Sequence, residues 1–167
     1  AYGIPLKFDQ VYIEGIAKVT LEDIGYAAEL GYRIKHLGLA IRRKDGIELR
    51  THPCLLRNEE LLASVNGVMN AIQIEGDAVG PTLHYGAGAG SEPTASAVVA
   101  DIVDVVRALT TDPNNRVPHL AFQPQSLSDL PILNIEQIET PFYLRLDVFD
   151  QPGVLADITR ILGFQSI

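Results

Sequence analysis

Gly86, Gly88 and Gly90 stand at alternate positions in the stretch Gly86-Ala87-Gly88-Ala89-Gly90-Ser91-Glu92-Pro93-Thr94. Glycines at this spacing let the backbone take conformations closed to other residues and let a ligand or a second chain segment come close. Thr82-Leu83-His84-Tyr85 leads in with strand character. Residues 94–109 lead out as a helix, with Ser91 or Glu92 positioned to cap it and Pro93 in its first turn. A dinucleotide-binding turn needs G-x-G-x-x-G, a second strand and a ribose-binding acid roughly 20 residues on. Here Ser91 occupies the position of the third glycine, and Asp112-Pro113-Asn114-Asn115 stand where the acid is required. That excludes a Rossmann turn and leaves a ligand-approach loop or a tight strand-to-helix connection.

The other chemically capable residues are dispersed. His36, His52, His84 and His119 are scattered, and no pair has metal-ligand spacing, so no metal site is expected. Cys54 lies in an apolar strand with nothing near it to lower its pKa. No G-x-S-x-G, P-loop or H-E-x-x-H occurs. Glu14, followed by Gly15, is the one carboxylate at a strand end beside a glycine, a position that suits a site and suits solvent equally well.

The helix after the glycines is unusual in its apolar coverage. Ala97, Asp101, Asp104 and Ala108 form a narrow polar or neutral stripe, while Val98, Val99, Ile102, Val103, Val105, Val106 and Leu109 cover nearly everything else. A surface helix needs an apolar stripe of only about 100°. This one must lie deep inside the chain or dock on protein outside it. Its valines leave a strand open as an alternative, although the run is long for one.

The totals set the class. The 167 residues allow one full domain and part of another; 47% hydrophobic and 20% charged residues fit a globular protein. A net charge of −8 argues against nucleic acid or an anionic membrane as partner. Arg42-Arg43-Lys44, the one basic run, reads as a solvated hairpin end beside Asp45-Gly46. A single cysteine precludes an internal disulfide and suits a reducing cytoplasm. No run approaches the roughly 18 apolar residues of a membrane span, and no signal peptide is visible. The start at Ala1, without methionine, is expected of a chain cut from something longer.

Along the chain, Ala1-Tyr2-Gly3 reads as the frayed end of a helix lying upstream, and Pro5 opens an extended segment with Phe8, Val11, Tyr12 and Ile13. Thr20 and Asp23 have capping-box spacing, with Val19 and Ile24 as a staple, before a helix over 21–30 closed by Gly31. Residues 34–43 alternate, with Leu37, Leu39 and Ile41 on one face. Asp45-Gly46 then predicts a hairpin to a strand over 47–56, in which His52-Pro53 marks a bulge or an edge. A short helix over 59–65 capped by Asn58 follows. Next comes a strand over 68–75 that turns Val68, Ile72 and Ile74 to a core, with turns at Gly76-Asp77 and Gly80-Pro81. The pattern is α/β (α+β), a mixed β-sheet covered by helices.

Beyond Leu109, Pro113, Pro118, Pro124 and Pro131 with Asn114-Asn115 and Ser126-Leu127-Ser128-Asp129 read as a connector without its own core, joining two domains. Residues 142–149 alternate as a strand. Asp150-Gln151-Pro152-Gly153 turns, and an amphipathic helix over 154–162 ends at Gly163. That strand and helix are too small to bury a core alone.

Four separated motifs go further. Glu14-Gly15-Ile16, His52-Pro53, Val65-Asn66-Gly67-Val68-Met69-Asn70-Ala71, and Gly86-x-Gly88-Ala89-Gly90 with Pro93-Thr94-Ala95-Ser96-Ala97-Val98-Val99-Ala100-Asp101 resemble homoserine dehydrogenase, in this order, over most of residues 1–110. Asp150-Gln151-Pro152-Gly153-Val154-Leu155-Ala156 resembles the start of an ACT domain, the amino-acid-sensing module that bacterial homoserine dehydrogenases often carry at the C-terminus.

The resemblance implies an NAD(P)-dependent oxidoreductase interconverting L-homoserine and L-aspartate 4-semialdehyde on the route to threonine and methionine, a cytoplasmic homodimer or homotetramer. It divides the chain into a partial catalytic and dimerisation domain (1–110) whose helix 94–109 returns to a Rossmann cofactor domain, a Pro-rich linker (111–139) and an incomplete ferredoxin-like ACT βα unit (140–167). Dimerisation would use the sheet of residues 34–56 and 68–75. Gly90, Gly88 and Gly86 would lie beside the nicotinamide, Glu14 and Gly15 near the substrate, and Asp150 and Gly153 at an effector site for threonine. The family's catalytic lysine and substrate-binding acids lie upstream of a stretch like Ala1-Tyr2-Gly3; neither Lys7 nor Lys18 matches that motif, so this chain alone is expected to be inactive. The competing reading is a non-catalytic, amino-acid-binding ACT-type regulatory or oligomerisation module.

Overall fold

The computed structural model of the chain describes residues 2–111 and 122–164. Its organising element is a three-stranded mixed sheet in the order β1–β3–β2. The short β1 (Tyr12–Ile13) runs parallel to β3 (Ile47–Arg57), and β2 (Tyr32–Arg42) pairs antiparallel with β3 over its whole length, from Tyr32 opposite Arg57 to Arg42 opposite Ile47. The predicted hairpin at Asp45-Gly46 connects these two long strands, closed by the Arg43 N–H donating to the Gly46 carbonyl at 2.8 Å. Leu37, Leu39 and Ile41 share the more protected face of β2, as their alternation requires. Pro53 sits in unbroken register opposite His36, with no bulge. β1 pairs with β3 at Arg50 and Thr51, so Pro53 lies beyond that pairing, where a residue without an N–H is tolerated.

Helix α1 (Leu21–Glu29) begins with the expected capping box: Asp23 N–H donates to Thr20 Oγ1 at 3.2 Å, and Thr20 N–H donates to the Asp23 carboxylate at 2.8 Å. It packs on β2 with Ala27 buried. Gly31 follows at φ +82°, a left-handed stop.

The second unit is an antiparallel hairpin, β4 (Met69–Gly76) with β5 (Gly80–Ala87), which forms its own two-stranded sheet. A single sheet spanning 34–56 and 68–75 is therefore not formed within the described chain. Val68, Ile72 and Ile74, expected toward a core, are half or more exposed, because no layer among the described residues covers that face. Helix α2 (Ser91–Leu109) leaves the end of β5 and settles the helix-or-strand alternative for this run. None of its residues is buried.

The segment between the units corrects another expectation. Instead of a helix over 59–65 capped by Asn58, a single 3-10 turn covers Leu61–Ser64, with Glu60 at its N-cap and no side chain bonding to it. Asn58 uses its backbone N–H to bond the Gly31 carbonyl at 3.0 Å, tying the turn to the end of α1. Lys35 on β2 then donates to the Val65 carbonyl and, at 3.0 Å, to Asn66 Oδ1, anchoring the entry to β4.

Two predicted loose regions are attached. Tyr2 and Gly3 are not a frayed helix end: Tyr2 Oη donates to the Ala40 carbonyl at 2.7 Å, and Gly3 is buried against Phe122, leaving no room for a Cβ. The connector, where described, packs on the sheet. Ser128 N–H donates to Gly3 O at 2.7 Å. Ile132 bridges Ile47, with Ile47 N–H donating to Pro131 O and Leu133 N–H donating to Ile47 O, both at 2.9 Å. Pro113, Asn114, Asn115, Pro118 and His119 lie outside the described residues.

Residues 142–149 do not form a strand among the described residues. Helix α3 (Val154–Phe164) follows and runs through Gly163 instead of ending at it, with Gly153 at φ +97° in the turn before it. This segment reaches α1 through Tyr143 Oη, which donates to Asp23 Oδ1 at 3.2 Å, and through Arg145, which pairs with Glu22 and Asp23.

Candidate functional site

The three glycines of the loop stand under different constraints. Gly90 is the N-cap of α2 with φ +128° and ψ 154°, a combination essentially reserved to glycine. Ser91 and Glu92 are inside the first turn instead of capping it, and the Thr94 N–H bonds the Gly90 carbonyl at 3.1 Å. Glu92 in the first turn and Arg107 in the last complement the helix dipole. Gly88 has no such backbone demand. A Cβ there would fall on the Asn70 amide, 2.5 Å from Asn70 Cγ, while its N–H bonds the Val68 carbonyl at 3.0 Å and fixes the loop to β4. At Gly86 a Cβ would meet nothing within 4 Å. A shallow groove runs over this end of the hairpin, lined by Asn70, Ile72, His84, Tyr85, Gly86 and Gly88.

Glu14 heads a second polar cluster, on the three-stranded sheet. Its N–H bonds the Thr51 carbonyl at 2.8 Å, extending the β1 pairing by one residue. Tyr12 Oη donates to Glu14 Oε2 at 3.0 Å, and Lys18 lies 3.5 Å from Oε1. His36 Nε2, acting as donor, reaches the Glu14 carbonyl at 2.9 Å. The hydrogen bond to Glu14, with burial and the negative charge adding to it, raises the Tyr12 pKa. Gly15 is exposed and meets no neighbour where a Cβ would stand. Among the described residues no hydrogen bond or ion pair joins this cluster to the glycine loop.

A third cluster went unread in the sequence, although its signal was present as polar residues at every second position of a strand. Glu48 and Arg50 are 2% and 6% exposed and 3.2 Å apart, and Arg43 pairs with the same carboxylate from the hairpin end. Arg50 Nη1 also donates to His52 Nε2 at 3.3 Å, and His52 Nδ1 donates to the Pro53 carbonyl at 2.9 Å, which fits a neutral imidazole protonated on Nδ1. Tyr12 meets the His52 ring edge-on at 6.3 Å. Burial pushes the Cys54 thiol pKa up and Arg50 opposes it, so Cys54 has no activated-thiolate character.

Asp150 and Gly153 are exposed in the turn before α3. Among the described residues no group of three or more histidine, cysteine or carboxylate side chains is arranged to hold a metal, and no helix is long and apolar enough to cross a membrane.

The family model for homoserine dehydrogenase matches residues 1–103. The chain belongs to the homoserine dehydrogenase family. It is 63% identical over all 167 residues to a homoserine dehydrogenase of Pseudomonas aeruginosa and 50% identical to one of Neisseria gonorrhoeae, and spans 38% of the length of each. The crystal structure of a homoserine dehydrogenase from Thiobacillus denitrificans superposes with a TM-score of 0.90 at 63% identity, covering 98% of this chain and 38% of that one. Homoserine dehydrogenases are oxidoreductases that use NAD(P), so the glycine loop has a cofactor class to be tested against. The space over Gly86 is open, and Gly90 holds a backbone essentially reserved to glycine.

Proposed function

We propose that this chain supplies the catalytic and dimerisation region of an NAD(P)-dependent homoserine dehydrogenase, interconverting L-homoserine and L-aspartate 4-semialdehyde for threonine and methionine synthesis. The observation that carries this is helix α2. It springs directly from the glycine loop and leaves Val98, Val99, Ile102, Val105 and Val106 each more than half exposed. A helix with apolar surface on nearly every side, set beside a loop bare of side chains, is what a returning helix against a cofactor domain requires.

The nicotinamide cofactor, when bound, exchanges a hydride with the substrate carbon. The contribution of this chain is approach and positioning, with Gly90 the closest backbone and Gly86 and Gly88 shaping access. Glu14 and Gly15 belong near the substrate; the proton-transferring lysine belongs to a segment other than the one described here. In this reading residues 1–110 are catalytic-domain sequence, 111–139 link, and 140–167 open an ACT domain that brings Asp150 and Gly153 to a threonine site at a subunit interface. The exposed turn at Gly153 ahead of α3 supports that last assignment. Two-fold pairing through the sheet strands, a cytoplasmic setting and the absence of nucleic-acid or membrane partners complete it.

The test is homoserine oxidation followed as NAD(P)H absorbance, for the 167-residue chain and for the product of its complete reading frame. Activity confined to the longer protein is the expected result. Activity in neither removes the enzyme reading and leaves an amino-acid-binding or oligomerisation module; activity in the short chain relocates the catalytic groups into it.

A further inference from the structure

Asn70 and Gly86 face each other across the β4–β5 ladder, and Gly88 is the diagonal neighbour on the same side. The Asn70 amide lies against Gly88, while the space over Gly86 stays open. It occupies the volume a Cβ at residue 88 would take, and among the described residues it makes no hydrogen bond. Gly88 has no positive-φ demand, so only space requires a glycine there. A loop that gives up a side chain to seat an amide at the edge of a groove presents there both N–H donors and a carbonyl acceptor.

We infer that Asn70 is a cofactor-binding residue, its side-chain amide pairing with the carboxamide of the nicotinamide ring, and that Gly88 is glycine in order to seat it. A primary carboxamide carries the same donors and acceptor, so two bonds can form side by side without burying a charge. Exposed Ile72, next on the same face of β4, adds apolar surface for the ring. The inference rests on the reading of the glycine loop as cofactor-facing.

The experiment uses the full-length enzyme and measures the Kd of NAD(P)H by its fluorescence, with Tm of the cofactor-free protein as the control for folding. Asn70→Ala, Gly88→Ala and the double variant are compared. Loss of these bonds weakens binding roughly tenfold. Gly88→Ala should match it by pushing the amide off its seat, and the double variant should be no weaker than either single. Asn70→Asp, which loses the donor, should weaken binding as well. Normal binding in Asn70→Ala with weakened binding in Gly88→Ala overturns the role of Asn70 and leaves the loop's cofactor role standing. Multiplying losses in the double variant overturn the seating argument. Unchanged Kd in all of them removes the inference together with the cofactor reading of the loop.

Discussion

The three-stranded sheet and the β4–β5–α2 arm are built from similarly apolar sequence, yet they end in opposite states. In the sheet, Ile47 is fully buried, held on one edge by β2 and on the other by the connector; Glu48, Arg50 and Leu56 are buried further along β3, and Ala27 is buried on α1. In the arm no residue of β4, β5 or α2 is buried. Apolar composition alone does not make a core. A core forms where chain segments distant in sequence return to cover one another, as residues 131–133 do for β3 and nothing described does for α2.

The largest effect should come from breaking the sheet's buried charge pair. Glu48→Ala leaves Arg50 buried without its carboxylate, and removal of one member of such a pair costs about 3–5 kcal/mol. Urea unfolding of the variant should show that loss. Replacing both Glu48 and Arg50 by methionine should restore most of it, since a packed apolar pair is often as stable as the buried ion pair. If Glu48→Ala unfolds like the parent, the sheet is not the stable half of the molecule.

The connector's part in the core can be tested separately. A Cβ on Gly46 would stand 2.5 Å from the Pro131 carbonyl oxygen and 2.9 Å from Leu133 Cδ2. The first obstacle is backbone, so it cannot swing aside. Gly46→Ala should destabilise by about 1–3 kcal/mol, the usual range for overpacking, and a shallower loss in the urea midpoint would mean that 131–133 detach easily.

What could be read from the sequence was local. The Thr20–Asp23 capping box, the Asp45-Gly46 hairpin, the alternation of Leu37, Leu39 and Ile41, and a helix beginning at the glycine loop all depend on residues within a few positions of one another. What was missed depends on distant pairing. Periodicity shows that Ile72 and Ile74 share a face, and cannot show whether another layer covers it. The alternation in 142–149 identifies a strand-competent segment that forms no strand among the described residues. The need for glycine at 88 is set by Asn70, eighteen positions earlier, and the strain at Gly90 is visible only as a dihedral angle. The family resemblance supplied function where local patterns stopped.

Asp23 joins the sheet unit to the C-terminal segment, and pH reports on that joint. The Thr20 backbone N–H, then its hydroxyl, then Tyr143 and Arg145 hold the Asp23 carboxyl below its ordinary pKa. The native state thus binds this proton less tightly than the unfolded chain. The stabilisation is complete above the ordinary aspartate pKa of about 3.9 and fades as pH falls through the lowered native value. Asp23→Asn should lower the urea midpoint at pH 6, with the two proteins converging as pH drops below 4. Tyr143→Phe should reproduce a fraction of the difference. A constant gap across the acid range would mean that the carboxylate's charge is not what matters at this joint.

The smallest effect discriminates most sharply, because its sign should change with context. Val99 and Val106 on α2 are 58% and 55% exposed, so their methyl groups contribute little packing in this chain. Valine is the poorer helix former, by up to about 0.7 kcal/mol against alanine, since its branched Cβ loses rotamer freedom against the preceding turn. Val99→Ala with Val106→Ala should therefore leave the 167-residue chain as stable as before or slightly more so. Where another domain covers α2, each substitution instead removes buried methyl groups at roughly 0.8 kcal/mol apiece and leaves a small cavity. The same double variant should then lower the Tm of the full-length protein. Stabilisation in both contexts would mean that α2 stays in solvent and that its valines serve some purpose other than docking.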